Sequence, residues 1–192
     1  EEPPARIASF FGRISYAYDD KYLVNFNWRN DRSSKFSSKN GALNFPSGSV
    51  AWRFSKEKFL ENLKWLMDGK LRIGYGSVGN NRISNLQYLQ LYGVTGQYAI
   101  NHSILPGFAP SALANPNLRW EKNTTLNFGL DLSLFNNKVQ FSVDYYKNTA
   151  KDLLLQAPIP PTTGYTFQFQ NIGATSNRGV ELQLSATPLQ KK

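Results

Sequence analysis

The chain has 192 residues and no cysteine, so its length fits about one domain, and disulfides, thiolate metal sites and a cysteine nucleophile are all excluded. Its net charge is +9, but apart from Lys56-Glu57-Lys58 and Lys191-Lys192 the basic residues stand singly, a pattern of loop and lumen charge rather than of a nucleic-acid interface. No apolar run approaches the roughly 18–20 residues of a membrane-spanning helix. Glu1-Glu2-Pro3-Pro4 is neither basic nor apolar, so any export signal is expected on a part not shown.

The first alternating stretch covers residues 6–18. Phe10, Gly12, Ile14, Tyr16 and Tyr18 fall on one face, and Phe11, Arg13, Ser15 and Ala17 on the other. After Asp19-Asp20-Lys21 the period of two resumes over 22–30, with Tyr22, Val24, Phe26 and Trp28 opposed to Leu23, Asn25, Asn27 and Arg29. That is a hairpin. Tyr16, Tyr18 and Tyr22 bracket its turn, where an aromatic girdle would place rings in lipid and hydroxyls at headgroups. A Tyr-rich sandwich core reads equally well at this point. Residues 31–43 are polar and serine-rich, hence a loop. A third strand is expected over 44–54, with Pro46, Gly48, Val50, Trp52 and Phe54 on one face.

Residues 55–68 break the alternation. Phe59, Leu60, Leu63 and Leu66 recur at helical spacing and predict one short amphipathic helix near 56–67 that ends before Gly69, read as a packing piece inside a turn. A fourth strand is expected over 70–78, with Leu71, Ile73 and Tyr75 on its apolar face. Residues 79–118 keep no period, and a loop this long in a compact domain is usually functional. Its Asn80, Asn81, Arg82, Tyr88, Tyr92 and Tyr98 are the candidate ligand-binding residues, because flat rings stack on polar ligands such as sugars and amides bond their hydroxyls. A self-packed cover is the plainer alternative.

The clearest hairpin covers 119–147. Trp120, Lys122, Thr124, Leu126, Phe128, Leu130, Leu132 and Leu134 alternate with Glu121, Asn123, Thr125, Asn127, Gly129, Asp131 and Ser133. Asn136-Asn137 marks the turn, and Val139, Phe141, Val143 and Tyr145 continue the apolar side. The first of these strands exceeds the usual ~5–6 residues and suits the roughly 9–11 that cross a bilayer. A second long loop spans 149–176. A last strand runs over 177–187, with Val180, Leu182, Leu184 and Ala186 on one face and Pro188 ending it.

If successive strands alternate in direction, the short links at 19–21, 55–69 and 136–138 lie at one end, and the long ones at 31–43, 79–118 and 151–176 at the other. Transmembrane barrels have this asymmetry, with short periplasmic turns and longer extracellular loops, whereas a sandwich has no reason to sort its loops. The fold expected is therefore all-β: antiparallel up-and-down strands of a transmembrane barrel wall, about seven in number and so partial. Trp120 and Tyr145 become candidates for the outer aromatic girdle. The competing reading is a soluble, secreted β-sandwich that binds carbohydrate through the 79–118 loop. The two differ in whether Phe26, Trp28, Leu126, Phe128, Phe141 and Val143 face outward or pack on a second sheet.

Catalysis has little support. His102 is the sole histidine, there is no Gly-x-Ser-x-Gly elbow, and one histidine without cysteine argues against a metal site on composition. Glu121 and Asp131 share a face but lie roughly 33 Å apart along a strand, too far for a glycosidase pair. Gly74-Tyr75-Gly76 sits inside a strand with no helix after it, so it cradles no phosphate.

Several stretches in this order resemble the barrel region of SusC/RagA-type TonB-linked outer-membrane transporters. They are Asp20-Lys21-Tyr22-Leu23; Phe45-Pro46-Ser47 with Ala51-Trp52-Arg53; Leu71-Arg72-Ile73-Gly74-Tyr75-Gly76 leading to Gly79-Asn80; and Asn115-Pro116-Asn117-Leu118-Arg119-Trp120-Glu121. Asp144-Tyr145-Tyr146, Asn171-Ile172-Gly173 and Asn177-Arg178-Gly179-Val180-Glu181 complete them. The resemblance implies a plugged barrel of about 22 strands in the outer membrane of a Gram-negative bacterium. It implies uptake of oligosaccharides or peptides, with a SusD-like surface lipoprotein as lid and energy delivered by the TonB complex; on the residues themselves, no enzyme activity, cofactor or nucleic-acid partner is expected. On that reading residues 1–192 all belong to the barrel domain. The plug, the TonB-contacting segment and the terminal insertion strand are expected outside this chain, and its free sheet edges are expected to make it aggregate alone.

Overall fold

The computed structural model describes residues 4–187. Pro188 as the end of the last strand, Lys191-Lys192 and the first three residues of the chain lie outside that range. Seven long antiparallel strands form one sheet: β1 (Ile7–Tyr18), β2 (Tyr22–Ser33), β3 (Ala42–Trp52), β4 (Leu66–Asn80), β7 (Glu121–Leu134), β8 (Val139–Lys151) and β11 (Ala174–Ala186). Between β4 and β7 a separate hairpin stands apart, β5 (Tyr92–Ile100) with β6 (Ser103–Pro110). A small hairpin of β9 (Leu154–Pro158) and β10 (Phe167–Asn171) interrupts the link from β8 to β11. Every neighbour in the large sheet is also the next long strand in the chain, so this is an up-and-down meander.

The alternation read from the sequence becomes continuous rows across the sheet. Tyr18, Tyr22, Trp52, Leu71, Leu130, Val143 and Leu182 are successive cross-strand partners. Two residues along, Tyr16, Val24, Val50, Ile73, Phe128, Tyr145 and Val180 make the next apolar row. Between them lies Ala17, Leu23, Ala51, Arg72, Gly129, Asp144 and Glu181, which belongs to the opposite face. The apolar rows are left largely open: Phe26 is 48% exposed and Leu182 70%. No second sheet packs on them among the described residues, so the β-sandwich reading fails. Strands of 11–15 residues with an uncovered apolar face are what a bilayer demands of a barrel wall.

Turn chemistry fixes the ends. Asp19 and Asp20 both take positive φ (49° and 56°), the left-handed centre of a tight turn within the three-residue link 19–21, closed by the Lys21 amide donating to Tyr18 O at 2.9 Å. Phe135, Asn136 and Asn137 are all left-handed in the β7–β8 turn, and Lys138 N donates to Phe135 O at 3.2 Å. The third short-end link is not a helix. Phe54–Lys56 forms one 3-10 turn with no side-chain cap. Beyond it, Leu60 N donates to Glu57 O, Leu63 N to Leu60 O and Leu66 N to Leu63 O, at 2.9–3.0 Å. The period of three in Leu60, Leu63 and Leu66 is the period of these successive turns, which mimics a helical repeat over so short a span.

Two girdle assignments also change. Trp120 precedes β7, lies outside its alternation and is buried at 5% exposure. Tyr145 is partnered by Phe128 and Val180 well inside the wall, with its ring centroid 6.4 Å from that of Phe128. The aromatic band that does form lies at the short-turn end, where Tyr18 and Tyr22 stack at 6.5 Å beside Trp52.

Sidedness has a direct consequence in the full-length barrel. Leu130→Arg places a cation on the lipid-facing row and should cost about 2–4 kcal/mol at mid-bilayer depth. Asn127→Arg, on the opposite face, should leave stability within about 0.5 kcal/mol. Equilibrium unfolding of the two variants in lipid checks the assignment, and equal costs would refute it.

Candidate functional site

The long-loop end is built around one buried cluster. Phe36, Phe45, Ile83, Leu118 and Trp120 form it, with Leu43, Leu154 and Phe169 packed against it. Leu118 is fully buried, and the Trp120 rings meet those of Phe36 and Phe45 at 5.6 and 5.8 Å. The indole Nε1 donates to Gly41 O at 2.8 Å, which ties the β2–β3 loop to the start of β7. Gly79 sits under these rings. A Cβ there would come within 2.9 Å of the Trp120 ring and 2.7 Å of the Phe45 ring, so only glycine lets the two close over β4.

Polar side chains then sew the loops together. Asn115 Nδ2 donates to Phe169 O and Gln168 Nε2 to Ala114 O, each at 2.7 Å. Asn171 accepts from Arg119 N at 2.9 Å and donates to Arg119 O at 2.8 Å, while Arg119 pairs with Asp152 at 2.8 Å. Pro116 O accepts from Ser37 Oγ and Asn40 Nδ2. Lys35 Nζ donates to Ile83 O at 2.7 Å.

The residues proposed from sequence to meet a ligand fall into three situations. Asn80 ends β4 and its side chain accepts from Arg82 N at 3.1 Å. Asn81 donates to Ser33 Oγ at 3.2 Å, so these two amides shape the loop, while Arg82 is exposed. Tyr88 lines a cleft of about 840 Å³ with Arg6, Arg32 and Phe36. Tyr92 and Tyr98 stand exposed on the projecting hairpin. The bulge between Val94 and Gly96 puts Tyr92 on the side of its partner Pro110, and Tyr98 on the other side with Leu105. His102 has a structural duty: Asn101 and His102 (φ 49° and 64°) are the hairpin's turn.

The polar face of the wall carries an ion network that single-residue scanning of the sequence passed over. Arg72 holds Asp131 bidentately at 2.7 and 2.9 Å and reaches Asp144 at 3.2 Å. Lys70 and Ser142 also bind Asp131, at 3.2 and 2.9 Å. Arg72 reaches across Gly129, where a Cβ would lie 2.7 Å from its guanidinium. The register Arg72–Gly129–Asp144 makes this pairing, and no single strand displays it.

A long, exposed apolar face, a polar face that carries the Arg72–Asp131–Asp144 network, and loops sorted to one end are the geometry of an outer-membrane barrel. The model of the family described as "TonB dependent receptor-like, beta-barrel" matches residues 3–190. The chain belongs to the TonB-dependent receptor β-barrel family. It is SusC/RagA-like within it. It is 39% identical to TonB-dependent receptor P3 of Formosa agariphila over 94% of this chain and 18% of that protein. It is 38% identical to SusC of Bacteroides thetaiotaomicron over 97% of this chain and 19% of SusC. Among solved structures, the RagAB peptide importer in its open-open state superposes with a TM-score of 0.87 at 36% identity, over 98% of this chain and 20% of that one. The siderophore receptor PirA of Pseudomonas aeruginosa shares the fold, at a TM-score of 0.57 and 16% identity. The chain thus spans about a fifth of the length of the curated relatives it matches. TonB-dependent receptors are transporters of the Gram-negative outer membrane, not enzymes.

At the periplasmic end of this receptor wall, one carboxylate joins a turn to the aromatic band. The Tyr22 hydroxyl donates to Glu57 Oε1 at 2.7 Å and Trp52 Nε1 donates to the same atom at 3.1 Å. The Tyr22 bond above all, then the Trp52 bond, with Lys21 nearby, holds the Glu57 carboxyl below its ordinary value. A depressed carboxylate stabilises the turn above its unfolded value and loses that contribution as pH falls through the folded one. In the full-length receptor, Tyr22→Phe should raise the Glu57 value, read from the carboxyl carbon-13 shift against pH. No movement would refute the bond.

The loop knot has its own test. Gly79→Ala must part the Phe45 and Trp120 rings and should cost about 1–3 kcal/mol. Faster proteolytic nicking of the 81–120 and 152–173 segments, with the barrel intact, is the expected readout.

Proposed function

We propose that this chain is a stretch of wall from a TonB-dependent importer that brings an oligosaccharide or a peptide across the outer membrane. All of it is barrel domain. A SusD-like surface lipoprotein would meet the long-loop end, and the TonB complex would act from the periplasm through other parts of the protein. The observation that carries the reading is the similarity to the RagAB peptide importer over 98% of this chain.

Physical arguments support the parts. A seven-stranded sheet has two edges, β1 and β11, whose outer backbone groups pair with nothing among the described residues. In hydrocarbon such groups cost several kcal/mol each, so more strands must close the barrel. Ligand contact is best served by Arg82, Tyr88, Tyr92 and Tyr98, with Asn80 and Asn81 setting the loop from which they project. RagAB argues for a peptide, and exposed tyrosine rings suit a sugar as well.

The test uses the full-length transporter in cells that lack their own copy, supplied with labelled oligosaccharide or peptide mixtures. Uptake of one class is expected. Replacing Arg82, Tyr92 and Tyr98 together by alanine should lower it about tenfold while heat-modifiable assembly is kept. Uptake of neither class by an assembled barrel would overturn the proposal.

A further inference from the structure

The short-end segment between β3 and β4 straddles the sheet. On the polar side Arg53 and Ser55 bind Asp68, at 3.2 and 2.9 Å. On the apolar side the Phe54 ring covers Gly69, which shares its face with Leu71, Ile73 and Tyr75. Glu57 is then held by Tyr22 and Trp52, both members of an apolar row. The segment is therefore fastened against the lipid-facing side, level with the aromatic band.

Two cation–aromatic dipeptides, Lys58-Phe59 and Lys64-Trp65, come directly after Glu57 and near the end of the segment. Phe59 is 71% exposed and Trp65 48%, although both lie in a run of successive turns with apolar residues available for packing. Of the segment's basic side chains, Arg53 pairs with Asp68 and Asp20, and Lys56 pairs with Asp20. Lys58 and Lys64 are exposed and have no ion pair among the described residues, against a single exposed acid, Glu61.

We propose that Lys58-Phe59 and Lys64-Trp65 form a docking site for the headgroup of an anionic phospholipid in the periplasmic leaflet. The rings enter the acyl boundary, and the two ammonium groups bind headgroup phosphate above it. The physical reasons are those of interfacial anchors: aromatic rings favour the headgroup level, and each lysine near an anionic surface adds electrostatic attraction. The charge complements an anion, and the apolar rings beside it select a lipid over free phosphate. The proposal rests on the barrel reading.

The experiment uses the full-length receptor in nanodiscs, wild type and Lys58→Gln/Lys64→Gln, with phosphatidylglycerol or phosphatidylcholine as probe and retained lipid counted by native mass spectrometry. Wild type is expected to retain phosphatidylglycerol preferentially, and the double variant to lose that preference by on the order of tenfold. Phe59→Ser should weaken it without altering net charge, and inorganic phosphate should not compete at millimolar concentration. Equal retention by wild type and the lysine variant overturns the site, as does competition by free phosphate. A wild-type chain that fails to form a heat-modifiable barrel in lipid overturns the barrel reading and the site with it, and that outcome is visible before any lipid is counted.

Discussion

Backbone pairing is the constraint on which the rest of the wall depends. In hydrocarbon an unpaired amide or carbonyl has no water to turn to, so each strand must be bonded along its whole crossing by neighbours on both sides. That is why the paired part of the ladder from β1 to β11 carries a single register shift, between Leu66 and Asp68 at the short-turn end, and why β3 and β4 part only on the long-loop side of Ser47. It is also why Pro46 is tolerable: β3 pairs with β4 only from Ser47 onward, so Pro46 lies where that side of the ladder has already opened. Once the pairing is fixed, the side chains have no freedom of face. Every row is wholly lipid-facing or wholly lumen-facing, and a slip of one residue would exchange them.

Where β4 leaves β3, the structure replaces backbone pairing with a buried knot. Phe45 and Trp120 close over Gly79, and Trp120 reaches Gly41 across the gap. This accounts for part of the stretches that carry the family resemblance. Asn115, Pro116, Leu118, Arg119 and Trp120 lie in the link before β7 and Asn171 ends β10, and they bond or pack across to the β2–β3 loop, the β9–β10 hairpin and the rings over β4. Their work is to hold three loops in one arrangement above the lumen. With links this long, such cross-bonding is what keeps the spacing between the loops fixed.

The wall was legible in the sequence because period two is unambiguous over more than ten residues. Seven strands, their faces and the sorting of their links could all be read from alternation and turns. The errors came where another regularity imitated a known one. Leu60, Leu63 and Leu66 look helical, but their spacing comes from turns that each close on the third residue. Trp120 looks like the first member of the β7 stripe, but it stands one residue before the strand begins, where tertiary packing decides direction. The β5–β6 hairpin escaped notice because its bulge and its glycines and prolines break the alternation, although Asn101-His102 between two apolar runs was a turn signal. The Arg72–Asp131–Asp144 network needed the register between strands, which no single strand's pattern contains.

The two ends of the wall solve different problems with the same residue types. At the periplasmic end the aromatics Tyr18, Tyr22 and Trp52 stay on the apolar face, and the polar atoms of Tyr22 and Trp52 find a partner at the interface in Glu57. At the loop end the aromatics turn inward and are buried, and the projecting hairpin keeps Tyr92 and Phe108 exposed. An aromatic ring at a membrane boundary anchors depth; the same ring in a loop knot fixes geometry. The exposed hairpin belongs to neither role. Its bulge turns its side chains from one side to the other, so Tyr92 and Phe108 are spent neither on the knot nor on the wall.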